Sequence, residues 1–267
     1  SSDLGAGLTN TEYAPLAEIM GRSLIGPEPF NCSAPDTGNM EVLVRYGSEA
    51  QKRQWLEPLL SGEIRSAFAM TEPGVASSDA TNMQANARRE GDEWVINGRK
   101  WWTSGACDPR CKVMIFMGLT NPDAPRHQQH SMILVPSDTP GVKIVRPLPV
   151  FGYDDAPHGH AEVIFDNVRV PQRNRIGHEG AGFMMQMLQF QEERLFGAAN
   201  MIKGLEHCVD TTIDYCKQRH TFGTPLIDNQ VIHFRMAELQ TEIECLRALV
   251  YQATEQYVKG RDVTKLA

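Results

Sequence analysis

Apolar residues recur three and four apart between Thr11 and Met20, with Tyr13, Leu16, Ala17 and Met20 on one side, which predicts a helix. A connection rich in Pro and Gly follows (Gly26, Pro27, Pro29, Pro35, Gly38), and then two further helical stretches, Glu41 to Tyr46 and Ser48 to Leu60. Ser48 and Gln51 make a capping box at the start of the latter, and Ser61-Gly62 closes it. From Ile64 to Pro171 the pattern switches to short strands. Ala67 to Met70 is a brief apolar run that breaks at Glu72-Pro73-Gly74, because Pro fixes φ and Gly opens the left-handed region. Glu93 to Ile96 alternates and meets Asn97-Gly98, a favoured tight-turn pair. Cys111 to Leu119 is an apolar run that predicts a buried strand, Asn121 to His130 is a polar loop, and Ser131–Val135, Val142–Val145 and Ala161–Phe165 complete the set. Strands at this spacing without intervening helices predict a compact antiparallel sheet or barrel. After Gly180 helical periodicity returns. Phe183, Leu188, Leu195, Ile202, Leu205 and Val209 mark one long amphipathic helix, reaching about Lys217. A second runs from Gln230 past Tyr257, with Ile232, Met236, Leu239, Ile243, Leu246, Leu249 and Val250 on its apolar side.

The expected fold class is therefore α+β: an N-terminal helical part (1–63), a small antiparallel β-domain (64–175) and a C-terminal helical bundle (176–267). A chain of 267 residues with 41% hydrophobic content can bury a sizeable core. The net charge of −7 gives no basic surface for nucleic acid, and no apolar run approaches membrane-helix length. Six cysteines show no framework spacing, and Cys107 and Cys111 have no second ligand pair, so zinc is not expected and a reducing compartment fits. The chain lacks a starting methionine and stops at Lys265-Leu266-Ala267 in a segment that reads as helix, the pattern of a piece of a longer protein.

Several side chains could carry chemistry. Beyond the Glu72 turn, Ser77, Ser78, Asp79, Thr81 and Asn82 put short hydrogen-bonding groups where backbone could approach a polar edge or a phosphate; an ordinary loop after a strand is the plainer reading. Trp101-Trp102 reads as a strand's core pair, and Arg219 as a surface arginine in an inter-helix loop. His158 and His160, near Asp154 and Asp155, suggest either a metal or a surface or acyl-pocket loop, the loop being the stronger reading; His127 and His130 read as solvated.

Three separated stretches, FAMTEPGVASSD (Phe68–Asp79), INGRKWWTSGA (Ile96–Ala106) and CKQRHTFGTPL (Cys216–Leu226), together resemble the acyl-CoA dehydrogenase family, and the resemblance covers essentially the whole chain. The wording NCSAPDTGNME, KWWTSGACDPRCK and RPLPVFGYDDAPHGHAEV resembles one branch, whose animal members carry an additional kinase-like domain. The resemblance implies α,β-desaturation of an acyl-CoA thioester with FAD as cofactor. It implies that Phe68, Ala69, Met70 and Thr71 edge the flavin ring and that Ser77 and Ser78 lie by the pyrophosphate and the thioester. By the same resemblance Trp102 covers the ring, with Thr103 beside it, and Ser104 supplies a hydroxyl near N5 that could donate to the reduced ring. Arg219, Thr221 and Phe222 would reach a neighbouring subunit's FAD, with Asn229 and Gln230 near the adenine.

The stretch LQFQEERLFGA resembles the long-chain and isovaleryl types, whose base precedes an Arg-Leu pair. That implies Glu193 as the α-proton base and Gln191, Glu192 and Arg194 beside the substrate. Glu193 lies roughly 200° from Leu195 around the helix axis, away from the apolar stripe; Glu192 is the expected solvated neighbour. Gly197, one turn on, would leave room for a substrate, and Glu72, in its turn, is expected to be structural. The implied partners are acyl-CoA, further copies of the chain as a homodimer or homotetramer, and an electron-transfer flavoprotein. The implied location is the cytoplasm in a bacterium, or mitochondria or peroxisomes in a eukaryote. An acyl-CoA oxidase, or a non-catalytic module of the same fold, is the alternative.

Overall fold

The computed structural model describes residues 6–266. Asn31–Gln189 form one compact unit, and the chain before Asn31 together with the chain from Phe190 onward forms another.

In the first unit the strands are β1 (Arg65–Ala69), β2 (Asn86–Glu90), β3 (Glu93–Ser104), β4 (Cys111–Leu119), β5 (His130–Pro136), β6 (Val142–Pro147), β7 (His160–Pro171) and β8 (Arg175–Ile176). They form a single sheet in the order β6-β7-β3-β2-β4-β5-β8, with β1 beside β4. The central strand β4 explains its own unbroken apolar run, because it is buried on both faces. Met114 and Phe116 enter a cluster with Ala67, Ala69, Trp94 and Phe165. Val113, Ile115 and Met117 enter a second cluster with Val42, Leu43, Leu56 and Leu59. Those last residues come from α2 (Asp36–Tyr46), from α4 (Glu57–Leu60), and from a π-helical stretch, Lys52–Leu56, that links α4 to the short α3 (Glu49–Gln51). The capping box of Ser48 and Gln51 is formed, and Gly62 leaves the helix with φ +73°.

The sheet is mixed rather than antiparallel throughout. β1 runs parallel to β4, with Phe68 opposite Ile115, and a single parallel bridge joins Asn86 to Leu119. After β1 the chain passes through the β2–β3 hairpin and re-enters at the end where β1 began, so that Arg65 N–H bonds to the Arg110 carbonyl at 2.8 Å. Side-chain alternation records which faces are buried and says nothing of strand direction. The pair Asn97-Gly98 makes no turn either. β3 runs through it as a bulge, with the register against β7 shifting between Ile96 and Gly98. The hairpin turn lies earlier, at Gly91 (φ +58°) between Glu90 and Glu93, which face each other. β2 leaves no apolar pattern in the sequence, because only Ala87 of its five residues is buried.

In the second unit, α1 (Asn10–Met20) carries a full capping box from Thr9 and Glu12. Two long helices, α5 (Gly182–Gln218) and α6 (Gln230–Val258), frame a small hairpin, β9 (His220–Thr221) and β10 (Thr224–Pro225). On α5 the buried residues Leu195, Ile202, Val209 and Cys216 repeat every seven, while Leu188 and Leu205 face outward. On α6 Ile243 and Val250 are buried and Leu249 is exposed. α1 abuts α5 so closely that a Cβ on Gly21 would fall 1.6 Å from the Asn200 carbonyl oxygen. α6 ends at Val258; Lys265 and Leu266 lie in a turn, not in helix.

Candidate active site

The turn after β1 is held by a buried ion pair. The Lys100 ammonium on β3 donates to Glu72 Oε1 at 2.8 Å and to the carbonyls of Met70 and Met117, each at 2.7 Å. Glu72 in turn accepts from the backbone N–H groups of Gln84 (2.8 Å) and Ala85 (3.0 Å). Both side chains are buried, and every polar contact named is charge-assisted, the condition under which a buried pair holds geometry. Burial pushes the lysine down to about 8, with the Glu72 carboxylate opposing that shift. Ser77 Oγ accepts from the Glu72 N–H at 2.8 Å and donates to the Glu72 carbonyl, so its hydroxyl closes the turn; Ser78 is exposed. Asp79 caps Thr81 and pairs with Arg126 at 2.6 Å. The start of β1 is tied down as well, since the Asp36 carboxylate accepts from Ser66 N–H (2.7 Å) and Ser66 Oγ (2.6 Å). Burial pushes the Asp36 carboxyl up, against the bonds from Ser66. A cleft of about 460 Å³ opens beside the turn, lined by Glu72–Gly74, Gln84–Asn86 and Asn97–Arg99. None of the residues assigned to a cofactor above lines it.

One step along β3, a second register shift against β7 falls between Lys100 and Thr103. Bulges re-aim side chains, and here Trp102 takes φ +51° with its indole 40% exposed, while Thr103 is fully buried. The core-pair reading of Trp101-Trp102 therefore fails for Trp102. Ser104, half-buried, is cross-strand from His160 and bonds to its Nδ1 at 2.8 Å. His160 Nε2 reaches Asp155 Oδ2 at 3.0 Å, and its ring lies 6.1 Å from that of Trp102. His158 instead bonds to the Ala34 carbonyl at 3.2 Å, and among the described residues no acidic, histidine and cysteine group forms a metal site. His130 is a further correction. It is fully buried at the head of β5, a strand whose first six residues are all buried.

In the helical unit, Glu192 is the buried member of the glutamate pair, not the solvated one. Its oxygens accept from Asn10 Nδ2 at 2.9 Å and the Tyr257 hydroxyl at 3.1 Å. Three residues before Leu195, it shares the buried stripe of α5, which the distance from Glu193 alone does not reveal. Gln191 donates to Thr264 Oγ1 at 3.0 Å, and Arg194 lies over the Phe190 ring. Glu193 is half-buried, and a Cβ on Gly197 would meet open space. Past α5, Arg219 is exposed and precedes a hairpin whose tip, Phe222-Gly223, has φ +54° and +85°. Phe222 is fully exposed there; Asn229 precedes α6, and Gln230 opens it, also exposed. Phe68–Thr71, Trp102–Ser104, Ser77 and Ser78 thus belong to the first unit, and Gln191–Arg194, Arg219–Phe222, Asn229 and Gln230 to the second. Nothing in the sequence pattern singles out Lys100 or Asp36, and it marks His160 and Asp155 only as members of a metal or acyl-pocket loop. The faint signal for the last two was their crowding in one loop with His158 and Asp154.

Comparison with known proteins gives matches along most of the chain. Descriptions of the acyl-CoA dehydrogenase N-terminal, middle and C-terminal domains match residues 3–63, 67–168 and 180–267. A Mycobacterium tuberculosis protein named "Probable acyl-CoA dehydrogenase FadE2" is 52% identical over 249 residues, 93% of this chain and 61% of the relative. A solved chain from Mycobacterium abscessus is similar at TM-score 0.92 and 53% identity, over 95% of this chain and 62% of that one. A structure described as the FAD complex of PigA is similar at TM-score 0.83 and 28% identity, over 97% and 66%. The chain thus spans about three-fifths of the length of the first two.

Proposed function

The chain belongs to the acyl-CoA dehydrogenase family, and from that premise we propose that it binds FAD and desaturates an acyl-CoA thioester between its α and β carbons. The observation that carries the reading is the bulge in β3, which turns the Trp102 indole outward, 6.1 Å from the His160 ring to which the Ser104 hydroxyl bonds. A half-exposed aromatic face with a hydroxyl near it suits a flat heterocycle with ring nitrogens. When bound, FAD supplies an acceptor for the electron pair that leaves the β-carbon. The protein's own residues do the rest. Trp102 covers the ring and Ser104 meets its polar edge. Phe68, Met70 and Thr71, partly exposed at the strand end, edge it, with Ala69 and Thr103 fully buried behind them; Ser77 closes the turn, and the exposed Ser78 is offered to the pyrophosphate and the thioester. Arg219 offers a forked guanidinium to a phosphate, with Thr221, Phe222, Asn229 and Gln230, on a second copy's cofactor.

Glu193 takes the α-proton. The α-hydrogen of a thioester is too weakly acidic for water, so a positioned, partly desolvated carboxylate is required. Glu192 is buried and bonded to Asn10 and Tyr257, and Glu193 is half-buried one turn from Gly197, where a Cβ would meet open space. Gln191 and Arg194 flank it. The implied partners are a dimer-based homo-oligomer and an electron-transfer flavoprotein that reoxidises the cofactor. The test is Glu193→Gln, mixed anaerobically with a panel of acyl-CoAs while the flavin absorbance is followed. The variant keeps FAD and still binds acyl-CoA, yet bleaches at least about a hundredfold more slowly, the usual cost of losing a general base. Bleaching at the wild-type rate would remove Glu193 from the mechanism.

A further inference from the structure

We propose that Asp155 and His160 fix the direction of the Ser104 hydroxyl, so that it faces the flavin as a hydrogen-bond acceptor and favours the reduced ring. The inference rests on the reading above that Ser104 meets the polar edge of FAD.

Three groups lie in series: Ser104 Oγ to His160 Nδ1 at 2.8 Å, and His160 Nε2 to Asp155 Oδ2 at 3.0 Å. An ionised carboxylate can only accept, so the proton of a neutral imidazole must sit on Nε2, pointing at Asp155. Nδ1 is then a bare lone pair, and the Ser104 hydroxyl must donate to it. A hydroxyl has a single proton. With that proton turned toward His160, only lone pairs remain for a ligand. The reduced flavin carries N–H at N5 and can donate to such an oxygen. The oxidised ring has a lone pair at the same atom and meets lone pair against lone pair.

The surroundings hold this arrangement in place. Ser104 and His160 are cross-strand partners on β3 and β7, fixed by the ladder itself. Asp155 sits at φ +51°, an uncommon conformation for a residue other than glycine, in a loop closed by its own carbonyl, which accepts from the Gly159 N–H at 2.9 Å. The Gly159 carbonyl in turn accepts from the Gly105 N–H at 2.9 Å, tying the loop to the residue after Ser104. His160 is partly shielded and Asp155 more exposed. They are positioning residues, acting through Ser104. This reverses the direction of donation expected from the sequence, in which Ser104 donates to the ring.

The experiment measures the reduction potential of the bound flavin at about pH 8 in the purified protein and in Asp155→Asn, His160→Phe, Ser104→Ala and the Ser104→Ala/Asp155→Asn double variant. Asp155→Asn keeps the shape but lets an amide donate to Nε2, which drives the proton to Nδ1 and frees the hydroxyl to turn outward. The tautomer logic is that of the serine-protease triad. Asp155→Asn and His160→Phe each lower the potential, favouring the oxidised flavin by about tenfold, which for a two-electron couple is about 30 mV. In the Ser104→Ala background Asp155→Asn has no further effect, because the group it acts through is gone. An unchanged potential in both single variants overturns the inference. So does an equal effect of Asp155→Asn with and without Ser104, or loss of flavin from the single variants, either of which would make the pair a structural clasp. A wild-type protein that holds no FAD refutes the cofactor reading instead, and is recognised before any variant is made.

Discussion

At the scale of single residues, burial decides charge more than residue type does. His130 illustrates this. Burial is the main cause that pulls its imidazole below the ordinary 6.5; the carbonyl of Met83 opposes the shift, the Lys100 charge adds to it, and Glu72 opposes it. A histidine depressed in the fold binds fewer protons there than in the unfolded chain. Its contribution is therefore complete above about pH 6.5 and is lost as pH falls toward the folded value. We expect the protein to lose stability through this group as the pH falls below about 6.5. His130→Leu should flatten the urea-midpoint profile in that window relative to wild type. Parallel profiles for the two proteins would show that His130 titrates alike in both states. The Lys100–Glu72 pair makes the same point from the opposite direction, since a lysine and a glutamate 28 residues apart give no sign in sequence that they meet.

At the scale of elements, local rules were legible and cross-strand relations were not. The capping box of Ser48 and Gln51 and the buried strand Cys111–Leu119 depend on near neighbours or on a run of one character, and both are found as read. Asn97-Gly98 has the composition of a hairpin turn, yet its glycine answers a different need. A Cβ on Gly98 would lie 2.3 Å from the Cβ of Ala85, so the residue is small because another part of the chain crosses it. That constraint is invisible until the sheet is assembled. Gly98→Ala should cost about 2 kcal/mol, the usual range for overpacking. Ala85→Gly in the same chain should recover part of it by removing the atom in the way. If the double variant is no more stable than Gly98→Ala alone, the backbone conformation at φ +154°, and not the contact, sets the cost. The paired glutamates were misjudged for a related reason. Glu192 was placed relative to Glu193, whereas burial on a helix is set by the distance from the apolar stripe.

At the scale of the whole molecule, the hairpin tip stands out. Phe222 is fully exposed in a left-handed conformation, and Val231 and Phe234 are exposed on the first turns of α6. We expect Arg219→Ala to weaken FAD retention roughly tenfold, as loss of a charge-assisted bond does, while the urea midpoint of the apoprotein stays put. Retention equal to wild type, measured by ultrafiltration of the released flavin, would remove Arg219 from the cofactor site. The parallel pairing of β1 with β4 has a further consequence, in time. Their first paired residues, Arg65 and Cys111, lie 111 − 65 = 46 positions apart. At about 10 residues per second, a nascent chain carries β1 for roughly five seconds before β4 has been made. During that interval α2 can already dock onto it through Asp36 and Ser66. The bonds from Ser66 to Asp36 join residues that have both been made by then, so the partners for these contacts exist before the strand's parallel neighbour does.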